Sequence, residues 1–119
     1  MAQSYKDLIV WQKAMALVTE VYKLTTKFPK DEVYGLSSQM KRSAVSIPSN
    51  IAEGKLRYGN KEFKHFLQIA IASGGELETQ IELSKRLFKI EKSDYTKADS
   101  LLSEVMKILI TLISSLVKS

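Results

Sequence analysis

The sequence predicts an all-α fold, a single-domain up-down antiparallel four-helix bundle spanning residues 1–119. Apolar residues recur every three or four positions in four separate segments, and no segment shows the period-two alternation of a strand. The linkers between these segments are short and carry proline, glycine or capping residues. Short linkers favour antiparallel neighbours, and we therefore expect an up-down bundle.

The first helix is predicted over residues 5–27. Its core face is a row of apolar residues at helical spacing: Val10, Ala14, Leu17, Val21, Leu24 and Phe28. Pro29 marks its end, because the residue before a proline avoids the helical region. A second apolar row, Leu8, Met15 and Tyr22, lies off the core face.

The second helix is predicted over residues 35–53, with Gly54 ending it. Its apolar face is Leu36, Met40, Ala44, Ile47 and Ile51. Pro48 lies inside this pattern, where it removes a hydrogen bond to the Ala44 carbonyl and costs about 3 kcal/mol. Two interpretations remain open: a continuous helix that tolerates the proline, or a new helical turn that begins at Pro48.

Four residues of this helix form a structural motif in our interpretation: Pro48, Asn50, Glu53 and Gly54. We expect Asn50 and Glu53 to bind backbone groups or a neighbouring arginine, and Glu53 to pair with Arg57 after a turn at Gly54. The alternative is a functional polar stripe, shared with Gln39, Ser43 and Ser46.

The third helix is predicted over residues 60–89, with Asn60 as its N-cap. Its seam approximates a heptad pattern: Phe63, Phe66, Ala70, Ser73, Leu77, Ile81, Ser84 and Phe88. The small residues Ser73-Gly74-Gly75 allow another helix to approach closely. That neighbour is either a bulky residue of the same chain, such as Trp11, or a second subunit.

The fourth helix is predicted over residues 94–117, capped by Ser93 or Asp94. Eleven of the seventeen residues from Leu101 to Val117 are apolar. This apolar surface is wider than the roughly 100° stripe that a surface helix of a monomer needs. Since excess apolar surface of this kind marks interfaces, we predict a homo-oligomer.

Positive charge is concentrated in one region of the chain. Residues 40–65 contain six basic and two acidic residues, giving +4 of the total net charge of +5. The basic residues are Lys41, Arg42, Lys55, Arg57, Lys61 and Lys64. Such clustering is typical of proteins with an anionic partner such as nucleic acid, although a basic face that only maintains solubility is the alternative.

Catalytic and metal chemistry lack support in the sequence. Cysteine is absent, which excludes a disulfide framework and thiolate sites. His65, the one histidine, forms Glu62-x-x-His65, but a di-iron bundle site needs a second such motif. No nucleophile elbow or phosphate-binding glycine loop occurs, so we expect a non-enzyme without metal or cofactor.

Targeting signals are equally absent by our interpretation. The N-terminal residues show no basic leader followed by an apolar run, so we expect no signal peptide. No uncharged apolar run approaches the roughly 18 residues of a membrane span. We therefore expect a cytoplasmic protein without membrane contact.

Several motifs resemble one bacterial family. They are Leu8-x-Val10-Trp11-Gln12-Lys13-Ala14, Phe28-Pro29-x-x-Glu32-x-x-Gly35-Leu36-x-x-Gln39, Ser46-Ile47-Pro48-Ser49-Asn50-Ile51-Ala52-Glu53-Gly54, Phe66-Leu67-x-Ile69-Ala70 and Glu76-Leu77-Glu78-Thr79. The family is that of four-helix-bundle proteins encoded within intervening sequences of 23S ribosomal RNA genes, sometimes labelled a ribosomal protein. The chain is also similar to the accessory variability protein of diversity-generating retroelements.

The resemblance implies a four-helix bundle that assembles as a ring, typically a pentamer, with a positively charged surface. In the retroelement relatives that surface is associated with nucleic acid and a reverse transcriptase. Lys41-Arg42 matches the family's basic pair, and Arg57 matches its arginine after the Asn-Ile-Ala-Glu-Gly segment.

Our main hypothesis is a non-enzymatic ring-forming bundle that binds RNA or DNA through phosphate contacts of the six basic residues. The alternative is a protein-interaction scaffold or adaptor whose basic face meets a reverse transcriptase or another acidic partner.

Overall fold

The structure, a computed structural model, describes residues 4–118 and contains four long helices. They are α1 (Ile9–Thr25), α2 (Leu36–Leu56), α3 (Asn60–Leu87) and α4 (Thr96–Lys118). Each helix packs against the next, and α4 returns to pack against α1, within a body 47 Å long and 22 Å across. No strand occurs within residues 4–118. The predicted all-α four-helix bundle is confirmed.

The predicted core rows are largely confirmed. All six residues of the α1 row are buried, as are Met40, Ala44, Ile47 and Ile51 of α2. In α3 the predicted seam is buried apart from Phe66 and Phe88, which are half-buried. The seam omitted Leu67 and Gly74, which are also buried, because α3 meets α2 and α4 on two adjoining sides.

Helix α2 runs through Pro48 without interruption, and the proline is buried. The alternative of a new helical turn at Pro48 is therefore wrong. The predicted end at Gly54 is also wrong, because α2 continues to Leu56. Gly54 serves close packing instead: a Cβ there would lie 2.7 Å from Cβ of Phe66 and 3.3 Å from the Phe63 carbonyl oxygen.

The other helix ends lie within four residues of their predicted positions. At the start, Tyr5–Asp7 form a 3-10 turn and Leu8 is extended, so α1 begins at Ile9. Gly59 rather than Asn60 is the N-cap of α3. Residues Lys92–Asp94 form another 3-10 turn, so neither Ser93 nor Asp94 caps α4.

Tyr95 connects α3 to the start of α4. Its side chain is buried, and its hydroxyl lies 3.0 Å from Ser84 Oγ. Since Ser84 Oγ donates to the Ile81 carbonyl at 2.7 Å, Tyr95 is the donor in this pair. This buried hydrogen bond fixes where α4 departs from the loop.

The small-residue segment of α3 packs within the chain. A side chain at Gly74 would collide with Met106 of α4, whereas a Cβ at Gly75 would meet nothing within 4 Å. The interpretation of intrachain packing thus holds at Gly74, although the neighbour is Met106 and not Trp11.

Helix α4 contributes to the core and also exposes apolar side chains. Leu102, Val105 and Leu109 are buried, whereas Ile110 is 55% and Val117 61% exposed. By length and composition alone, Lys92–Val117 is apolar enough to cross a membrane, with a mean hydropathy of 1.8 in its most apolar window. Only 17% of that window is buried in the bundle. One chain therefore leaves much of the apolar surface of α4 uncovered.

Candidate nucleic-acid interface

The link between α2 and α3 gathers four of the six basic residues that the sequence singles out. Helix α2 ends at Leu56, Arg57 is extended, and Gly59 adopts φ 91°, which lets the chain reverse into α3. We call Lys55, Arg57, Lys61 and Lys64 the basic turn. With Glu62, residues 55–65 contain four basic side chains and one acidic side chain, a net charge of +3.

Aromatic rings of α3 orient the two basic residues that come from the end of α2. The Arg57 guanidinium lies 5.1 Å from the centre of the Phe66 ring, and Lys55 Nζ lies 5.5 Å from that of Phe63. Cation–π contacts of this length are attractive. Arg57 Nε also donates to Glu53 Oε2 at 3.2 Å, which confirms the predicted pairing of Glu53 with Arg57.

The first two turns of α3 supply the rest of the basic turn. Lys61 and Lys64 are three residues apart and therefore share one side of the helix, together with His65. Neither lysine forms an ion pair with a described residue. The positive end of the α3 dipole adds to the local potential. A depression of about 120 Å³ at the turn is lined by Gly54, Lys55, Arg57, Gly59, Asn60 and Phe63.

Lys41 and Arg42 lie elsewhere. Lys41 Nζ lies 4.9 Å from the centre of the Tyr22 ring of α1, on the side of α2 that faces α1. It precedes Lys55 by fourteen residues, which is about 21 Å along a continuous helix at about 1.5 Å per residue. Hence the six predicted residues do not form one compact site, and the basic turn holds only four of them.

Asn50 forms hydrogen bonds within the bundle. Its amide Nδ2 donates to the Ser46 carbonyl at 2.8 Å and to Ser46 Oγ at 2.9 Å. Ser46 Oγ in turn lies 2.8 Å from Ser73 Oγ of α3. These contacts tie α2 to α3 at two residues that lie two positions before and two positions after Pro48, so Ser46 and Asn50 take part in the packing of these helices.

No catalytic or metal-binding arrangement emerges at the basic turn. Within residues 4–118 no three side chains of the metal-binding types come together. His65 lies edge-on to Phe66, with ring centres 5.3 Å apart. Sequence reasoning missed Tyr58, whose side chain is fully exposed between Arg57 and Gly59. The available signal was its place directly before the turn glycine.

The fold and this surface define a small all-α bundle protein with a basic helix–helix turn. The chain belongs to the 23S rRNA-intervening sequence protein family, whose family model matches residues 6–111. It is similar to a protein with unknown function from the S23 ribosomal protein family of Bacteroides thetaiotaomicron. The two share 27% sequence identity and a TM-score of 0.78, over 88% of this chain and 98% of the other. No curated protein matches the chain significantly. Neither family description names an enzymatic activity.

Proposed function

We propose that this protein is a non-enzymatic, cytoplasmic, ring-forming bundle that binds RNA or DNA through phosphate contacts at the basic turn. The observation that carries the proposal is the exposed positive charge where α2 meets α3. Lys55 and Arg57 are oriented by aromatic rings, and Lys61 and Lys64 have no acidic partner among the described residues. Phosphate oxygens are the ligands that such donors favour.

Electrostatic binding of this kind has a measurable signature. Each phosphate neutralised by a basic side chain releases condensed counterions, so affinity falls steeply with salt. Lys41 and Arg42, about 20 Å away on the same helix, extend the contact along a strand in the assembled protein. Arg57 contributes less than a free arginine, because Glu53 partly compensates its charge.

The test reverses the charge of the basic turn. We expect the triple variant Lys55→Glu, Arg57→Glu, Lys61→Glu to lose binding to labelled RNA and DNA oligonucleotides in fluorescence anisotropy. For the wild type, the slope of log affinity against log salt concentration should be steep with both the RNA and the DNA oligonucleotide. A circular dichroism spectrum and the oligomer size should stay unchanged, since all three side chains are exposed.

A matched control sits at the opposite end of the bundle. The triple variant Lys89→Glu, Lys92→Glu, Lys97→Glu changes the net charge equally on exposed residues and should bind nearly as wild type. Equal loss in both triple variants would assign binding to net charge alone. Unchanged affinity in the first variant would refute the basic turn as the site.

Ring formation is the second component of the proposal, and the apolar surface of α4 supports it. Ile110, Ile113 and Val117 are spaced by three and four residues, so they form one row, which we call the outer row of α4. Met15 and Tyr22 of α1 are 44% and 45% exposed, giving the chain a second apolar surface. Two different surfaces on one chain are what a head-to-tail ring requires, and the family resemblance favours a pentamer.

We favour contact between copies over insertion of α4 into a membrane. Glu104 and Lys107 interrupt the apolar sequence, and Glu104 pairs with Lys13 of α1. Leu102, Val105 and Leu109 complete the bundle core, so withdrawing α4 would open it. Flotation of the purified protein with phospholipid vesicles would contradict this assignment.

A protein-interaction scaffold is the second candidate, and the observation that favours it is that Lys61 and Lys64 form no ion pair with a described residue. A reverse transcriptase, as in the retroelement proteins that the sequence resembles, or another acidic protein would be the partner. Pull-downs with and without nuclease separate the two functions. Partners bridged by nucleic acid disappear after nuclease treatment, whereas direct protein partners remain.

A further inference from the structure

Tyr58 is the most exposed aromatic residue at the basic turn. Its exposed fraction is 101%, so the ring buries no area against the bundle. It stands between the extended Arg57 and Gly59, where the backbone reverses. Packing within the chain therefore does not account for an aromatic side chain at this position.

The other aromatic rings near the basic turn already contact neighbouring side chains. Phe63 is buried and meets Lys55, and Phe66 meets both Arg57 and His65. Tyr58 takes part in no comparable ring contact with a described residue. Both faces of its ring are thus open to a ligand.

Exposed aromatic rings among basic side chains have a known use. Proteins that bind single strands track the phosphates with positive charge and stack unpaired bases on aromatic rings. Tyr58 lies within three residues of Lys55, Arg57 and Lys61, which are the phosphate-binding candidates. A duplex keeps its bases stacked inside, so only an unpaired base can reach the ring.

We infer that Tyr58 stacks on an unpaired base of a strand whose phosphates contact Lys55, Arg57 and Lys61. The ligand class is thus single-stranded nucleic acid, with little dependence on base identity because every base has a flat face. This inference rests on the proposed function of the basic turn and specifies its substrate.

The test compares three labelled ligands of equal length, each made as RNA and as DNA where the chemistry allows. They are a pyrimidine single strand, the same strand with abasic sites in place of the bases, and a duplex. The abasic strand keeps the phosphates and lacks the stacking partner. Fluorescence anisotropy then measures the affinity of each ligand for wild type, Tyr58→Ala and Tyr58→Phe.

We expect Tyr58→Ala to weaken single-strand binding about tenfold, in the range found when stacking aromatics are replaced by alanine. Its affinity for the abasic strand and the duplex should stay within about twofold of wild type. Tyr58→Phe keeps the ring and should bind as wild type. Tyr34→Ala is the matched control, because Tyr34 is 96% exposed but follows the acidic pair Asp31 and Glu32 in another loop.

Other outcomes would overturn the inference. Equal losses on the normal and abasic strands, or unchanged single-strand affinity in Tyr58→Ala, would show that the ring does not stack on a base. A change in oligomer size in Tyr58→Ala would assign the ring to a subunit contact. If the triple charge-reversal variant loses binding and Tyr58→Ala has no effect, the proposed function is supported and the stacking role of Tyr58 is refuted. Full affinity in that triple variant would refute both.

Discussion

At the scale of single residues, three glycines of this chain occupy three different structural environments. Gly54 sits where α2 and α3 approach closely, Gly59 adopts a positive φ, and Gly75 does neither. The amino-acid sequence alone does not distinguish these three glycines. Only the neighbours in space separate a glycine that packing requires from one that the helix merely tolerates.

Alanine substitutions should therefore change stability in opposite directions. Gly54→Ala should destabilise the fold by about 1–3 kcal/mol, because its Cβ would press on Phe66 Cβ and on a backbone oxygen that cannot move aside. Gly75→Ala should stabilise it by up to about 1 kcal/mol, since alanine is the better helix former and the space is open. Urea unfolding monitored by circular dichroism measures both changes.

The exposure of Tyr58 could not be predicted from the sequence. A tyrosine before a glycine is equally compatible with a packed loop and an exposed one. Its exposure depends on where α2 ends, and the sequence places that end at Gly54 instead of Leu56 because glycine is common directly after helices. The four candidate residues of the basic turn could be chosen by counting charges, whereas the choice of Tyr58 required the structure.

At the scale of elements, the four helices and their core faces were predictable because apolar spacing determines which side is buried. The ends of the helices were less predictable. Gly54 resembles a helix terminus in the sequence but is a packing position opposite Phe66, and the start of α4 is set by the Tyr95 hydroxyl reaching Ser84. Both depend on a partner more than ten residues away, which local patterns do not contain.

The pairing of α3 with α4 has a pH dependence that follows from Lys85. Lys85 Nζ lies 2.8 Å from Asp99 Oδ2 and 3.3 Å from Glu82 Oε1, and the hydrogen bond to Asp99 raises the pKa of Lys85 above its ordinary value of 10.5. A lysine whose pKa is higher in the folded chain stabilises the fold below pH 10.5. That stabilisation is lost as the pH rises through the folded pKa.

We expect Lys85→Met to lower the free energy of unfolding at pH 7 by about 1 kcal/mol or less, because the side chain is one-third exposed and solvent screens the pair. The gap between wild type and variant should narrow as the pH rises above 10.5 and through the raised pKa of Lys85. Lys97→Met, which removes a lysine without an ion pair to any described residue, is the control. A gap that stays constant with pH would contradict the assignment.

At the scale of the whole molecule, the basic turn and the outer row of α4 belong to different helices. The basic turn lies at the link of α2 and α3, whereas the exposed apolar residues that we assign to assembly lie on α4 and in the second row of α1. In our proposal, binding of nucleic acid and assembly of copies therefore use different helices. Each is expected to respond to its own substitutions.

The outer row of α4 provides the test of assembly. Ile110→Lys with Val117→Lys should shift light scattering from oligomer to monomer at micromolar concentration, because two charges would be buried without partners. Helix content should remain, since both side chains are exposed in the single chain. Leu109→Ala, one residue away but buried, should instead cost about 2–5 kcal/mol of stability. If the wild-type protein is a monomer at micromolar concentration, the prediction of a ring is wrong.

The packing order of the helices also bears on how quickly the chain acquires its structure. Three of the four helix contacts join neighbours along the sequence, and only the contact of α1 with α4 spans most of the chain. Folds dominated by such local contacts cross their folding barrier in microseconds to milliseconds. The α1–α4 contact closes the largest loop and forms at the greatest entropic cost, so we expect α1, α2 and α3 to associate first and the docking of α4 to complete the native state.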